Sequence, residues 1–553
     1  MRPAQAVSRS SVLVLLLLAI TMACMACVGP MPPPPELRVT SPKRGLVQGD
    51  AGRITVQGTT LPGPSGAPVT KVTVNKVPAT LGADGSFTAV VDVLAGATLL
   101  ETVATADDGG TVTDARAVQV GQLRPVGANV DRAITASLSA DAFARLSAAA
   151  GPIVKSTNIE ALIAPLQPMV NLGDSLANLK LSITKLKLGD AKFKLTPVDG
   201  GLEFSAELAG LSVAANAAYG GTLVPDGTTS VSITADTITI AGTLVVTPAG
   251  TAGFTTKIAS PNVGTANLRL QASGLTGQIL SLLSNNLGSA VQSVITSSAE
   301  RALQPLINEA LGALAGPQRF NVLGKQLDLQ ASPSAVTFSR AGALVSLNLA
   351  TKIGGSEASP GYIFTPNGTP TMTVGSGVQV GLADDLVNQL LAQVHAIGLL
   401  DLHLKQDFGV FDTADIKLSV PPMISANSPD GALRLVLGDM IASFSDDGKE
   451  IIRAAVNAQV DLQVLRGDDA KQIALQFGKV RLFVNTLDTM SSDAVGGDLS
   501  DLNGAAAAGI GLQLDSLNQF MITVPLPSVA GLTLDNLALR ADSGYVLASG
   551  QIH

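Results

Sequence analysis

Between Gly274 and Leu314 the chain places apolar residues at Ile279, Leu283, Leu287, Val291, Val294, Ala299, Leu303, Leu306, Ala310 and Leu314. Steps of three to five residues trace one stripe along an α-helix. A continuous helix of this length would run roughly 60 Å, at about 1.5 Å per residue. The other face carries Asn285, Asn286, Ser293, Ser297, Glu300, Arg301 and Asn308, which excludes a membrane span, and Pro305 predicts a kink. Almost everything else in the chain reads as β, so one long one-faced helix needs a long apolar surface to lie on. Two arrangements satisfy this. One is a core helix of an ordinary α+β domain. The other is a curved sheet wrapped along the helix with room for an apolar ligand, and there Ile279, Leu283, Leu287 and Val291 would form the lipid-binding wall. Dry packing of the same stripe against the sheet is the competing reading.

The composition supplies the material for such interiors. Of 553 residues, 46% are hydrophobic and 14% charged, enough for about three or four domains. There is no Trp and there are 3 Tyr, so aromatic stacking platforms for sugars or single-stranded nucleic acid are not expected. A formal net charge of −8 argues against nucleic acid and against electrostatic capture by anionic membranes.

The N-terminus predicts export. Arg2 and Arg9 precede an apolar run, Val12–Ile20, too short to be read as a span. Thr21-Met22-Ala23-Cys24 follows and resembles the lipobox of bacterial lipoprotein signals, with Thr21 where Leu is usual. Cys24 is the expected lipidation site, with Cys27 as second choice and a plain secretory signal as the alternative. A diacylglyceryl Cys would tether the protein to a membrane surface. These are the only 2 Cys, so no disulfide is available beyond them. Residues 28–35, VGPMPPPP, read as a polyproline spacer.

Residues 36–122 alternate in short runs such as Ile54-Thr55-Val56 and Val72-Thr73-Val74, separated by turns at Asp84-Gly85 and Asp108-Gly109. The order of these motifs resembles the Ig-like domains of bacterial surface proteins and polysaccharide enzymes. Asp107 and Asp108 fit a solvated turn better than a Ca²⁺ site. Residues 123–130 read as a linker and 138–169 as helical pieces broken by Pro152, Pro165 and Pro168. Alternation returns from Leu179. Its parity changes between Ile183 and Leu186, which predicts a β-bulge near Thr184-Lys185. Further strands are expected at 202–208, 211–217, 231–240 and 244–246. Lys180, Lys185, Lys187, Lys192 and Lys194 read as the solvated side of a hairpin, with a surface for lipid headgroups as the sharper alternative. After Gly316-Pro317 a second β-rich half begins. It has a loop at 354–369, a helix at 382–397, and a Gly/Ala/Asp-rich stretch at 491–508 that reads as a poor helix or loop.

Several segments resemble the family of bactericidal/permeability-increasing protein, lipopolysaccharide-binding protein and the plasma lipid-transfer proteins. They are Val380-Gly381-Leu382-Ala383-Asp384-Asp385 running on to Leu404, Pro421-Pro422 through Ser428-Pro429-Asp430-Gly431-Ala432-Leu433, and Val524-Pro525-Leu526-Pro527 with the strands after it. Residues 275–314 fall where that family has its long helix. The resemblance covers 131–553. It implies two highly twisted antiparallel sheet-plus-long-helix domains in a boomerang arrangement, each holding an apolar pocket for acyl chains. Two departures limit it. The family's first-domain disulfide has no Cys here, and residues 131–316 are nearly balanced in charge, so specificity for lipopolysaccharide does not follow.

Motifs for chemistry are missing from the sequence. The 3 His, at 395, 403 and 553, make no H-x-x-x-H or H-E-x-x-H pattern, and there is no G-x-S-x-G. Gly375-Ser376-Gly377 misses a phosphate loop by one residue, and Asp501-Leu502-Asn503-Gly504 lacks the other ligands of a Ca²⁺ loop.

The expected protein is therefore an α+β, β-rich chain. Residues 1–27 are a lipoprotein signal, 28–35 a spacer, 36–122 an Ig-like β-sandwich, 123–316 a first lipid-binding barrel domain and 317–553 a second. The expected function is non-enzymatic binding, with transfer as an extension, of phospholipid or another acyl-chain lipid. No cofactor, metal or nucleic acid is expected. The expected place is the bacterial cell envelope, anchored to the outer membrane. The rival reading is a surface adhesion protein that works through the Ig-like domain, with the barrels as scaffold.

Overall fold

In a computed structural model, the residues described are 32–145, 170–273, 316–489 and 534–552, apart from short internal gaps, with scattered helical positions at 147–148, 281–308 and 506–514. Residues 1–31, with the expected signal segment, Cys24 and Cys27, lie outside them.

The first unit is a sandwich. One sheet runs in the order Glu36–Ser41, Gly52–Leu61, Ser86–Val93 and Thr80–Leu81. The other runs Leu46–Gln48, Thr111–Val120, Gly96–Ala106, Val69–Val74 and Val77–Pro78. Strict alternation drives this. Along Gly52–Leu61 every second residue is buried, and Ile54, Val56, Val72, Val74, Phe87 and Val118 fill the space between the sheets.

Two further sheets wrap helices. The first contains Val170–Gly173, Asn178–Lys187, Gly201–Gly221, Val224–Pro248 and Phe254–Ala266 in that order, with Asp190–Val198 beside Gly201–Gly221. The second contains Leu402–Lys405, Thr413–Leu418, Leu433–Asp446, Lys449–Arg466 and Ile473–Thr489. Between them lies a seven-stranded sheet in the order Gly316–Val322, Lys325–Ser339, Gly342–Ile353, Val130–Ser139, Val378–Ala383, Tyr545–Ile552, Leu534–Asp542. Ala331, Val345, Leu347 and Leu349 of this sheet join the first core, whereas Leu327 and Ile353 join the second. The expected class, a sandwich followed by two twisted antiparallel sheets that carry helices, is the one found.

Four expectations change. Residues 202–208 and 211–217 form one strand of 21 residues, not two. Its inward positions are Leu202, Phe204 and Ala206, then Leu211, Val213, Ala215 and Ala217, so the inward parity reverses at Gly210. Gly210 has φ +65°, which an L side chain rarely adopts, and this keeps both halves facing the core. Residues 231–240 and 244–246 likewise merge into Val224–Pro248. The linker at 123–130 and the loop at 354–369 are partly ordered against each other, because Gln122–Arg124 pairs antiparallel with Tyr362–Phe364. The helical reading from Leu138 begins too early, since Val130–Ser139 is a strand and helix starts at residue 140. The predicted bulge at Thr184-Lys185 is present as a register shift between Ile183 and Lys185.

The sandwich is docked on the second sheet domain. Arg44 of the sandwich ion-pairs with Asp439 at 3.0 Å and with Asp114 at 2.9 Å. The Asp439 carboxylate also accepts the Gly45 and Ala117 N–H groups and the Asn457 amide. Asn485 accepts the Ala115 N–H and donates to the Thr113 carbonyl, and Gln119 donates to the Pro421 carbonyl. Leu99, Ala117 and Val436 form a small apolar core within this contact.

Candidate functional site

The candidate site is the interior of the first sheet domain. Its wall is the pair Gly201–Gly221 and Val224–Pro248, in register from Leu202 opposite Leu244 to Ala217 opposite Thr229. Twenty-one residues at about 3.3 Å each make a wall of roughly 70 Å. Only one side is apolar. Leu202, Phe204, Leu211, Val213, Ile233, Ile238, Ile240 and Leu244 are buried, whereas Glu203, Ser205, Glu207, Ser212, Asn216, Thr234 and Thr239 face solvent. Lys180, Lys185, Lys187, Lys192 and Lys194 are all exposed.

Helical residues between 292 and 308 lie on this wall. Leu303 and Ile307 are buried in the same core, and Ala299 packs against it. Two polar side chains fasten the helix to the strand Phe254–Ala266. Glu300 accepts the Ile258 N–H at 2.8 Å, and Asn308 accepts the Phe254 N–H at 2.6 Å. Backbone donors of a sheet strand are thereby satisfied by the helix instead of by a further strand. The four wall residues expected from sequence, Ile279, Leu283, Leu287 and Val291, lie outside the described residues, as do both cysteines.

The second domain repeats the plan. Ala506, Ile510 and Leu514, spaced by four, are buried in its core with Leu435, Leu437, Met440 and Phe444. Of the stretch 491–508 read as a poor helix or loop, Ala506 and Ala508 are helical, and Ile510 and Leu514 lie just past its expected end. Gly509 permits the contact, because a Cβ there would stand 2.3 Å from Ile416 Cδ1.

A further helix, Asp384–Ala396, sits between the two cores. Leu386 and Ala392 belong to the first core, and Val387, Leu391 and Val394 to the second. Its buried amides act as clasps. Gln393 accepts the Ile353 N–H and donates to the Thr351 carbonyl, Gln389 donates to the Ala128 carbonyl, and Asn388 both donates to and accepts from the Ile424 backbone. In the first turn Asp384 and Asp385 are buried. Asp384 accepts the Ala426 N–H, and Asp385 accepts the Thr365 N–H and hydroxyl. Burial pushes the Asp384 carboxyl up to about 6 against these hydrogen bonds. Burial, with the neighbouring Asp384 charge adding to it, pushes Asp385 up to about 7. Tyr362 is pushed up to about 12, chiefly by burial and then by Asp385, with Arg124 opposing. The Arg124 guanidinium stacks 3.3 Å from the Phe364 ring centre, which fixes the connecting strand. Sequence reasoning placed Asp384 and Asp385 only as part of a motif; two adjacent acids opening an apolar helix were the available signal.

The arrangement offers apolar surface and backbone clasps. No group of three or more His, Cys, Asp or Glu among the described residues could hold a metal, and no described helix is long and apolar enough to cross a membrane.

The chain is similar to lipopolysaccharide binding protein. Identity is 15%, the match covers 77% of this chain and 99% of that one, and the TM-score is 0.38. P47 of Clostridium botulinum E1 matches at 7% identity over 76% of this chain and 98% of its own, with a TM-score of 0.28. Latherin matches at 12% identity over 31% of this chain and 85% of its own, with a TM-score of 0.19. No family model and no curated protein matches the chain. These are likenesses of fold at low identity, and the function of this chain is argued below from its own residues.

Proposed function

We propose that this protein binds acyl-chain lipid in the elongated interiors of its two sheet domains, without catalysing a reaction. The observation that carries the reading is the one-sided apolar wall of Gly201–Gly221 and Val224–Pro248. Its apolar side runs the length of both strands, and that length suits an extended chain. Each buried methylene contributes about 0.8 kcal/mol, so two sixteen-carbon chains give roughly 25 kcal/mol before ordering and desolvation costs. Headgroup choice stays loose in such a site. The sequence resemblance to the lipid-transfer family points the same way. In this reading lipidation at Cys24 holds the protein to the outer membrane of a bacterial envelope, and transfer requires a tether long enough to reach a second membrane.

The test is native mass spectrometry with lipid extraction on the full chain, purified gently from its envelope. Stoichiometric phospholipid, or another acyl-chain lipid, is the expected result. A ligand-free protein that also fails to take up fluorescent phospholipid removes the reading.

A further inference from the structure

The sheet of the first domain ends on a long outer strand, Phe254–Ala266, whose two sides are held in different ways. On one side it pairs with Val224–Pro248 along its whole length, from Phe254 opposite Pro248 to Ala266 opposite Thr237. On the other side, among the described residues, no strand follows it, and three helical side chains take that place. Asn308 accepts the Phe254 N–H at 2.6 Å, Glu300 accepts the Ile258 N–H at 2.8 Å, and Gln292 donates to the Pro261 carbonyl at 3.5 Å.

This seam is tight at one end and loose at the other. The bonds lengthen from Asn308 to Gln292. Gly253, at φ +86°, lets Asn308 come close, since a Cβ there would stand 2.8 Å from Asn308 Oδ1. Phe254 and Ile258 are buried, as are Leu303 and Ile307 of the helix, whereas Asn262, Gly264, Thr265 and Ala266 are exposed. Ser260, at φ +51°, lies where the register shifts between the two halves of the strand.

An acyl chain reaches the interior only if the wall parts somewhere. Parting two paired strands breaks a backbone ladder along its length. Parting the helix from Phe254–Ala266 breaks one side-chain bond at a time, and at the exposed end water can satisfy the freed backbone groups.

We propose that this seam is the entrance for acyl chains into the first domain, opening from the Gln292–Pro261 end while Asn308 and Phe254 stay fastened as its hinge. The inference rests on the acyl-chain reading above. Because the seam runs along the strand, the chain enters lengthwise and a headgroup can remain in water.

The test follows how fast the full chain takes up a fluorescent phospholipid from vesicles, and how fast the loaded protein returns it to vesicles without the probe. Gln292→Ala and Glu300→Ala are each expected to speed both rates about fivefold, the scale of one lost hydrogen bond. The amount bound at equilibrium should stay as in the parent, which also reports that the variants fold. Glu300→Gln keeps an acceptor for the Ile258 N–H and should return the parent rates. Thr184→Ala removes a comparable bond, from the Thr184 hydroxyl to the Ala214 carbonyl at 3.0 Å, toward the opposite end of the same sheet, and should leave both rates alone. Parent rates in both Gln292→Ala and Glu300→Ala, or equal acceleration in Thr184→Ala, overturn the seam as the entrance. A parent chain that takes up no phospholipid removes the acyl-chain reading itself, and the seam with it.

Discussion

Asp439 Oδ1 lies 3.0 Å from Arg44 Nη1, joining residues 395 positions apart in the chain. Asp439 is fully buried, has φ +43°, and sits in a register shift between Leu437 and Met440. The bulge turns the carboxylate outward to the sandwich while Leu437 and Met440 remain in the second core.

Removing one partner of a buried, hydrogen-bonded ion pair costs about 3–5 kcal/mol. Arg44→Met should therefore loosen the sandwich and leave Asp439 uncompensated. The expected outcome is a lower urea midpoint and faster proteolysis of the 123–130 connection than in the parent chain. An unchanged midpoint and unchanged cleavage would show that the ion pair does not hold the contact.

Gly438 makes a steric test of the same interface. A Cβ there would stand 2.3 Å from Ala117 Cβ. Gly438→Ala should separate the two surfaces and accelerate cleavage of the connection, and the double variant Gly438→Ala with Ala117→Gly should restore protection. A double variant no better than the single one would point to strain within the strand itself.

The buried acids predict a pH dependence. With folded values near 6 for Asp384 and 7 for Asp385 against an ordinary 3.8, the folded state holds protons that the unfolded state has released. Stability should thus fall as pH rises from about 4 to about 7 and level off above. Asp385→Asn keeps an acceptor for Thr365 and removes the charge. It should flatten the slope and stabilise the protein at pH 8 by an amount on the order of a few kcal/mol. Urea midpoints at pH 5 and pH 8 decide the matter, and an equal slope in parent and variant would contradict it.

The helix clasps in the first domain predict a local effect. Glu300→Ala and Asn308→Ala each orphan one N–H of Phe254–Ala266, at about 1–3 kcal/mol apiece. Hydrogen exchange should speed up at Ile258 in the first variant and at Phe254 in the second, with the Gly201–Gly221 amides protected as before. Equal exchange across the whole sheet would mean global destabilisation instead.

Local pattern carried much of this fold into view. Alternation marked the sandwich strands, and the parity change from Ile183 to Leu186 located a real bulge. The helix at Asp384–Ala396 agrees with its stripe to within two residues. Parity also misled, because the reversal at Gly210 broke one strand into two on paper, and only the continuous pairing with Val224–Pro248 joins them. Contacts between distant short segments left no trace. Gln122–Arg124 and Tyr362–Phe364 are each three residues long, too short to show a period. The docking of Asp439 depends on a partner in another domain, and nothing adjacent to it in sequence marks it.

The position of Val130–Ser139 has a consequence for assembly. It is the fourth of seven strands, held between Gly342–Ile353 and Val378–Ala383, with Tyr545–Ile552 beyond. An early stretch of chain must therefore wait, unpaired on both edges, until much later stretches arrive and Tyr545–Ile552 pairs beyond Val378–Ala383. Such distant pairings slow folding, because loop closure precedes any gain from contact. Deleting only Tyr545–Ile552 would leave Val378–Ala383 as an open edge in the middle of the molecule, so this late strand acts as a latch on a sheet whose centre is laid down far earlier in the chain.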